Sequence, residues 1–169
     1  MKNWRRILPF GRIMPIERLF QVLINETFPL FRPKIWDDPF ENLLMDSNFW
    51  LDRHFVNVKK IRDSYFGVCW SMTKESDAMW KIYSPDCRGV KIKTTAGKVF
   101  DKIFDSLDDE KLLDFIVGEV RYHDEQGIKQ EFGSLGSNDF IKDKNGTLIP
   151  ISLLVKRTGF KHEDEVRFI

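Results

Sequence analysis

The stretch Phe66–Lys93, FGVCWSMTKESDAMWKIYSPDCRGVKIK, decides the reading of this chain. Its apolar residues predict two strands, Tyr65 to Trp70 and Val90 to Lys93, bracketing a short helix. Ser71 or Thr73 offers that helix an N-cap, and Glu75, Ser76 and Asp77 lie near its start, where negative charge is favourable. Met79, Trp80 and Tyr83 supply its inward face. Pro85 stops it, and Gly89 permits the turn into the second strand. Tryptophan and tyrosine bury large apolar bodies yet keep one polar atom in need of a partner. Their clustering beside the Ser71-x-Thr73 step predicts a walled polar pocket.

Towards the N-terminus, Pro15 opens a helix whose Ile16, Leu19, Phe20, Leu23 and Ile24 fall on one face. Pro29 and Pro33 bracket an extended piece, Leu30-Phe31-Arg32. In Ile35–Asn42, IWDDPFEN, Asp37 or Asp38 satisfies local backbone N–H groups while Pro39 fixes φ. Trp36 and Phe40 then fold back onto the core. A further helix is expected from Phe49 to Asp63. Towards the C-terminus, Thr94 or Thr95 caps a helix carrying Val99, Ile103 and Phe104, followed by a solvated acidic break from Asp105 to Glu110. Phe115 to Tyr122 reads as a strand, Asp124 to Lys129 as a polar loop, and Gly133 to Ser137 as flexible by composition. Ile149 to Lys156 reads as a strand or short helix. Val166, Phe168 and Ile169 begin a buried strand on which the sequence stops, so the chain is expected to be truncated at its C-terminus.

A chain of 169 residues is long enough to bury a core without disulfide or metal support and is expected to form one domain. Its 27 Lys plus Arg against 26 Asp plus Glu give a formal charge of +1, which is no footprint of a general polyanion binder. With 42% hydrophobic residues, fifteen Phe and five Trp, the composition is globular and rich in aromatic residues. The alternation of strand and helix signals predicts an α+β single domain with a mixed or antiparallel twisted sheet and flanking helices. Cys69 and Cys87 fall on neighbouring expected strands and read as reduced thiols. With His54, His123 and His162 they show no metal-ligand spacing, so no metal site is expected. Pro9 and the charges at Glu17 and Arg18 interrupt any hydrophobic signal region, and no apolar run reaches membrane-spanning length. No membrane association is expected, and the cytoplasm is the default address.

Six short motifs recur along the chain in a recognisable order. They are Arg12-Ile13-Met14-Pro15, Asp37-Asp38-Pro39-Phe40-Glu41, Trp70-Ser71-Met72-Thr73, Met79-Trp80-Lys81-Ile82-Tyr83, Gly89-Val90-Lys91-Ile92 and Glu163-Asp164-Glu165-Val166-Arg167. In this the chain resembles the bacterial family catalogued as domain of unknown function 2971, DUF2971. The resemblance spans nearly the whole chain and implies residues of interest, but no activity. The order Arg12, Ser71-x-Thr73, Glu163-x-Glu165 is in turn similar to the arginine, serine and glutamate arrangement of mono-ADP-ribosyltransferases. That similarity implies NAD as cofactor, with Arg12 on its pyrophosphate and the Ser71–Thr73 strand ordering the nicotinamide ribose side. It implies Ser71, Glu163 and Glu165 as the catalytic set, and Arg12, Thr73, Trp80 and Tyr83 as cofactor-binding residues. Trp70, Trp80 or Tyr83 would stack on a base.

Each of these residues also has a purely structural use. Arg12 lies in a basic stretch with Arg5 and Arg6 and serves equally as a surface arginine or an ion-pair partner. Ser71 and Thr73 serve as helix caps. Glu163, Glu165 and Arg167 alternate as they would on the solvated side of an edge strand. Trp80 and Tyr83 serve as helix core. Asp37, Asp38 and Glu41 form either a turn or a divalent-cation site; with Glu163 and Glu165 nearby they would suit a metal-dependent nuclease. A third class is a non-catalytic module that senses a nucleotide or binds a protein partner. Lys59, Lys60, Arg62 and Tyr65, and again Arg121 and Tyr122, place basic and aromatic residues together, but acids offset them, which gives nucleic acid slender support.

Overall fold

The computed structural model of the chain describes residues 9–36, 38–42, 45–46, 48–51, 54–105, 115–134 and 151–169. Strand β1 (Pro9–Pro15) runs into helix α1 (Ile16–Asn25), and β2 (Asn48–Leu51) and β3 (His54–Asn57) precede α2 (Val58–Arg62). The central stretch supplies β4 (Val68–Ser71), α3 (Asp77–Tyr83) and β5 (Gly89–Thr95), followed by α4 (Ala96–Asp105). Then come β6 (Val117–Glu119), β7 (Arg121–His123), α5 (Glu125–Ser134), β8 (Val155–Arg157) and β9 (Glu165–Phe168). A five-stranded, mostly antiparallel sheet has the order β5-β1-β4-β9-β6, beside a β2-β3 pair and a β7-β8 pair. The fold class is α+β, as the sequence predicts.

The strand–helix–strand reading of Phe66–Lys93 holds, with one change at the helix start. The N-cap is Ser76, whose hydroxyl accepts from the Met79 N–H, while Ser71 and Thr73 are used elsewhere. Gly89 lets the chain leave α3 for β5: its N–H donates to the Ser84 hydroxyl at 2.7 Å, and a Cβ there would meet Ser84 Cβ at 2.5 Å. Thr95 caps α4 as expected, accepting from the Lys98 N–H. Three expectations fail. In Phe49 to Asp63 the described residues form the antiparallel pair β2-β3, followed only at Val58 by a helix. The polar Asp124–Lys129 segment is helical from Glu125, with the Asp124 carboxylate accepting from the Gly127 N–H in the first turn. Phe115 to Tyr122 is divided between β6 and β7, which belong to different sheets. Cys69 lies on β4 and Cys87 in the turn before β5, and neither is joined in a disulfide. Residues 135–137 of the segment read as flexible lie outside the described residues.

The chain divides into two compact units. The first gathers Met1–Pro29, Cys69–Phe115 and His162–Val166. Here β1 pairs with β5 along its whole length, from Pro9↔Thr95 to Pro15↔Gly89, and meets β4 at Gly11↔Ser71. Phe10, Ile13, Met14, Trp70, Met79, Ala96 and Val166 are its buried apolar residues. Helix α1 ends in a left-handed Glu26, and none of its residues is buried. In α3 only Met79 is buried; the expected partners Trp80 and Tyr83 lie nearer the surface.

The second unit gathers Leu30–Val68, Ile116–Lys161 and Arg167–Ile169. Met45, Val58, Leu153, Leu154 and Ile169 form its core, with Trp36, Tyr65 and Ile116 packed against them. Phe31 bridges to Gly67, the extended piece expected between two prolines. Asp38 performs the turn role predicted for it, accepting from the Phe40 N–H at 3.1 Å; Asp37 lies outside the described residues.

Candidate functional site

In the first unit the end of β4 is stitched to the chain ahead of β9. Ser71 Oγ donates to the Glu163 carbonyl at 2.6 Å and accepts from the Thr73 N–H at 3.1 Å. The Met72 N–H donates to the Asp164 carbonyl at 2.8 Å, and the Thr73 hydroxyl reaches the His162 carbonyl at 3.5 Å. Ser71 can span both segments because a short side-chain oxygen bonds readily to backbone two residues on. Asp164 takes φ 44, the left-handed region that carboxamide and carboxylate side chains tolerate better than most. That kink breaks strand alternation. Glu163 therefore closes a 3-10 helix, Thr158–Glu163, while Glu165 opens β9.

The expected solvated edge does not form. Strand β9 lies inside the sheet order, and Glu163, Glu165 and Arg167 are all buried. Buried carboxylates demand partners. The Tyr83 hydroxyl donates to Glu163 Oε1 at 2.7 Å, although the residue is 40% exposed. Desolvation first, then the charge and hydrogen bond of Glu163, and then the charge of Glu165 push the Tyr83 proton well above its ordinary range. Arg12, half-buried on β1, donates from Nη1 to the Cys69 carbonyl at 3.2 Å. Burial pulls the guanidinium pKa down, and the charges of Cys69, Tyr83 and Glu165 push it back up. The Tyr83–Glu163 hydrogen bond, buried Glu165 and half-buried Arg12, all in the first unit, make the candidate group.

Of the seven residues singled out in the sequence, four make that group. Ser71 and Thr73 adjoin it as scaffold, with their polar atoms committed to the carbonyls of Glu163 and His162 and to each other. The pairing Gly11↔Ser71 gives Arg12 and Ser71 opposite faces where they leave the sheet, and the Arg12 guanidinium reaches the Cys69 carbonyl on β4. Trp80 does not join: its half-buried indole donates to Glu75 on the neighbouring turn. Sequence reasoning passed over Cys69, two residues before Ser71 on β4, whose carbonyl holds Arg12. The position of that carbonyl leaves no mark in residue type. Trp70 is buried and stacked on Phe28, with ring centroids 5.5 Å apart, and Arg12 lies 6.0 Å from the Phe28 centroid.

The acidic turn of the second unit is occupied by cations of its own chain. Asp38 takes a forked pair from Arg157, with Nε and Nη2 at 3.0 and 2.9 Å from Oδ1. Glu41 Oε1 accepts from Lys156 Nζ and from Arg167 Nη2, both at 3.0 Å. Among the described residues no group of three histidine, cysteine or carboxylate side chains is arranged to hold a metal ion. Nor is any helix among them long and apolar enough to cross a membrane.

A family model described as a protein of unknown function, DUF2971, matches residues 79–168, just over half of the chain. The matched span contains the motifs beginning at Met79, Gly89 and Glu163, and leaves those at Arg12, Asp37 and Trp70 outside it. No curated protein and no solved structure matches the chain.

Proposed function

The chain belongs to the DUF2971 family of proteins of unknown function, and from the geometry of its first unit we propose that it binds NAD and transfers ADP-ribose. One observation carries this reading: the Tyr83 hydroxyl donates to buried Glu163, in the same unit as buried Glu165 and half-buried Arg12. Breaking the bond between nicotinamide and ribose needs little covalent machinery. Nicotinamide leaves with the bonding electron pair, and positive charge develops on the ribose as an oxocarbenium-like cation. A fixed carboxylate stabilises such a cation, and fixed donors hold the dinucleotide's phosphates.

In this reading Arg12 holds the pyrophosphate and Glu165 faces the developing cation, then takes the proton of the attacking acceptor. Tyr83 and Glu163 orient the ribose hydroxyls, and Ser71 with Thr73 hold the turn that carries Glu163. Trp80 is left out. The divalent-cation alternative loses support because Asp38 and Glu41 are already paired with Arg157, Lys156 and Arg167.

Calorimetric titration with NAD, beside ATP and Mn²⁺, tests the proposal. NAD is expected to bind saturably, R12A to abolish binding, and E165A to retain it. A folded protein that gives no heat with NAD overturns the proposal. Saturable binding of ATP alone would favour a nucleotide-sensing module without catalysis, and a response to Mn²⁺ alone the nuclease reading.

A further inference from the structure

Lys91 on β5 sends its side chain across β1 to the turn that follows β4. Lys91 is paired with Ile13, and Gly11, two residues back on β1, faces the same side of the sheet. The lysine passes over that glycine: a Cβ on Gly11 would lie 2.5 Å from Lys91 Cε and 3.5 Å from its Nζ. The ammonium then donates to the Thr73 carbonyl at 3.1 Å and the Lys74 carbonyl at 2.6 Å. Those carbonyls lie two and three residues after Ser71, the residue that anchors the Glu163 backbone.

We propose that Lys91 and Gly11 form a latch that holds the Ser71–Lys74 turn in shape, making Lys91 a positioning residue for the Arg12–Glu165 site. Three strands must cooperate for the latch to work. Strand β5 supplies the cation, β1 supplies a position with no side chain, and the turn after β4 turns two carbonyls towards the ammonium. Hydrogen bonds from a charged donor to two neutral acceptors are stronger than neutral pairs and hold both carbonyls at once. A glycine in a strand interior is unfavourable on its own account and often marks close approach of another group. Here that group is the lysine stem. The consequence for ligand rests on the NAD reading above; the latch itself is read without ligand.

Hydrogen–deuterium exchange at the Met72 and Thr73 amides tests the latch, because both are protected by bonds that depend on the turn. In K91M and in G11A these amides are expected to exchange about tenfold faster, as expected for loss of a charge-assisted bond. In G11A the flexible end of the lysine moves aside at little steric cost, so its Tm should fall no further than that of K91M. K91R, which keeps two donors, is expected to restore protection. The decisive arm is the double variant: G11A should add nothing in a K91M background, because its only effect is to displace the lysine. Unchanged exchange in K91M, or an equal effect of G11A with and without Lys91, overturns the latch. NAD affinity is expected to fall about tenfold in K91M by the same bond loss. If the wild type does not bind NAD, the site reading fails while the exchange data still decide the latch.

Discussion

The Tyr83 hydroxyl donates to Glu163 Oε1 across 2.7 Å, joining the last turn of α3 to the residue two before β9. The bond needs the phenol protonated, and burial together with two carboxylates keeps it so in the fold. The unfolded chain releases that proton near the ordinary value of 10.0, and the folded chain only at higher pH. The contribution to stability is therefore complete below the unfolded value and is lost as pH rises towards the folded one. Thermal unfolding of the wild type should weaken more steeply above pH ~10 than that of Y83F. Tyrosinate absorbance offers a second check. Of the three tyrosines, one should ionise only as the chain unfolds, and that step should be absent from Y83F. Equal alkaline slopes for the two proteins would contradict the bond.

Ser71 is buried and bridges two segments that lie 92 residues apart in sequence. S71A removes the donor to the Glu163 carbonyl and the acceptor for the Thr73 N–H. Stability should fall by about 1–3 kcal/mol in a urea titration, the cost of leaving buried backbone groups unpaired. A helix cap at the surface would cost less and would leave the Tyr83 titration untouched. S71A should alter that titration, because the Glu163 carboxylate shifts with its backbone.

Glu41 is the shared anion of two buried cations in the second unit, and Arg167 also gives Nη1 to the Leu153 carbonyl at 2.6 Å. E41A leaves Lys156 and Arg167 buried without that carboxylate. Breaking one side of a buried pair typically costs about 3–5 kcal/mol, so E41A should unfold at much lower urea concentration or fail to accumulate. A loss below about 1 kcal/mol would show that solvent reaches the cluster.

Helix α1 exposes Leu23 and Ile24 at 63% and 78%. I24K should therefore change stability by no more than about 0.5 kcal/mol, as surface substitutions do. M79A, on the buried side of α3, should cost about 2–5 kcal/mol. A large loss in I24K would mean that α1 is covered.

The central stretch was legible because its signals are local, alternation in β4 with Pro85 and Gly89 as punctuation, although the cap expected at Ser71 or Thr73 is Ser76. Residues 49–63 misled because a short antiparallel pair is fixed by cross-strand partners, as in Trp50↔Phe55, which helical periodicity cannot weigh. The Glu125–Ser134 helix was missed for its polarity, which resembles that of a loop. The candidate site was half visible. Residue types in order picked out Arg12, Tyr83, Glu163 and Glu165. The left-handed Asp164 and the burial of both glutamates depend on contacts far away in sequence. The fate of Asp38 depends on Arg157, 119 residues distant, which no local pattern reveals.

Release of nicotinamide from NAD by the wild-type protein and by E165Q tests the proposed chemistry most directly. The wild type is expected to release nicotinamide, while E165Q binds NAD with similar affinity and releases little. Equal release by both, or NAD bound by the wild type with no release, would contradict a catalytic role for Glu165.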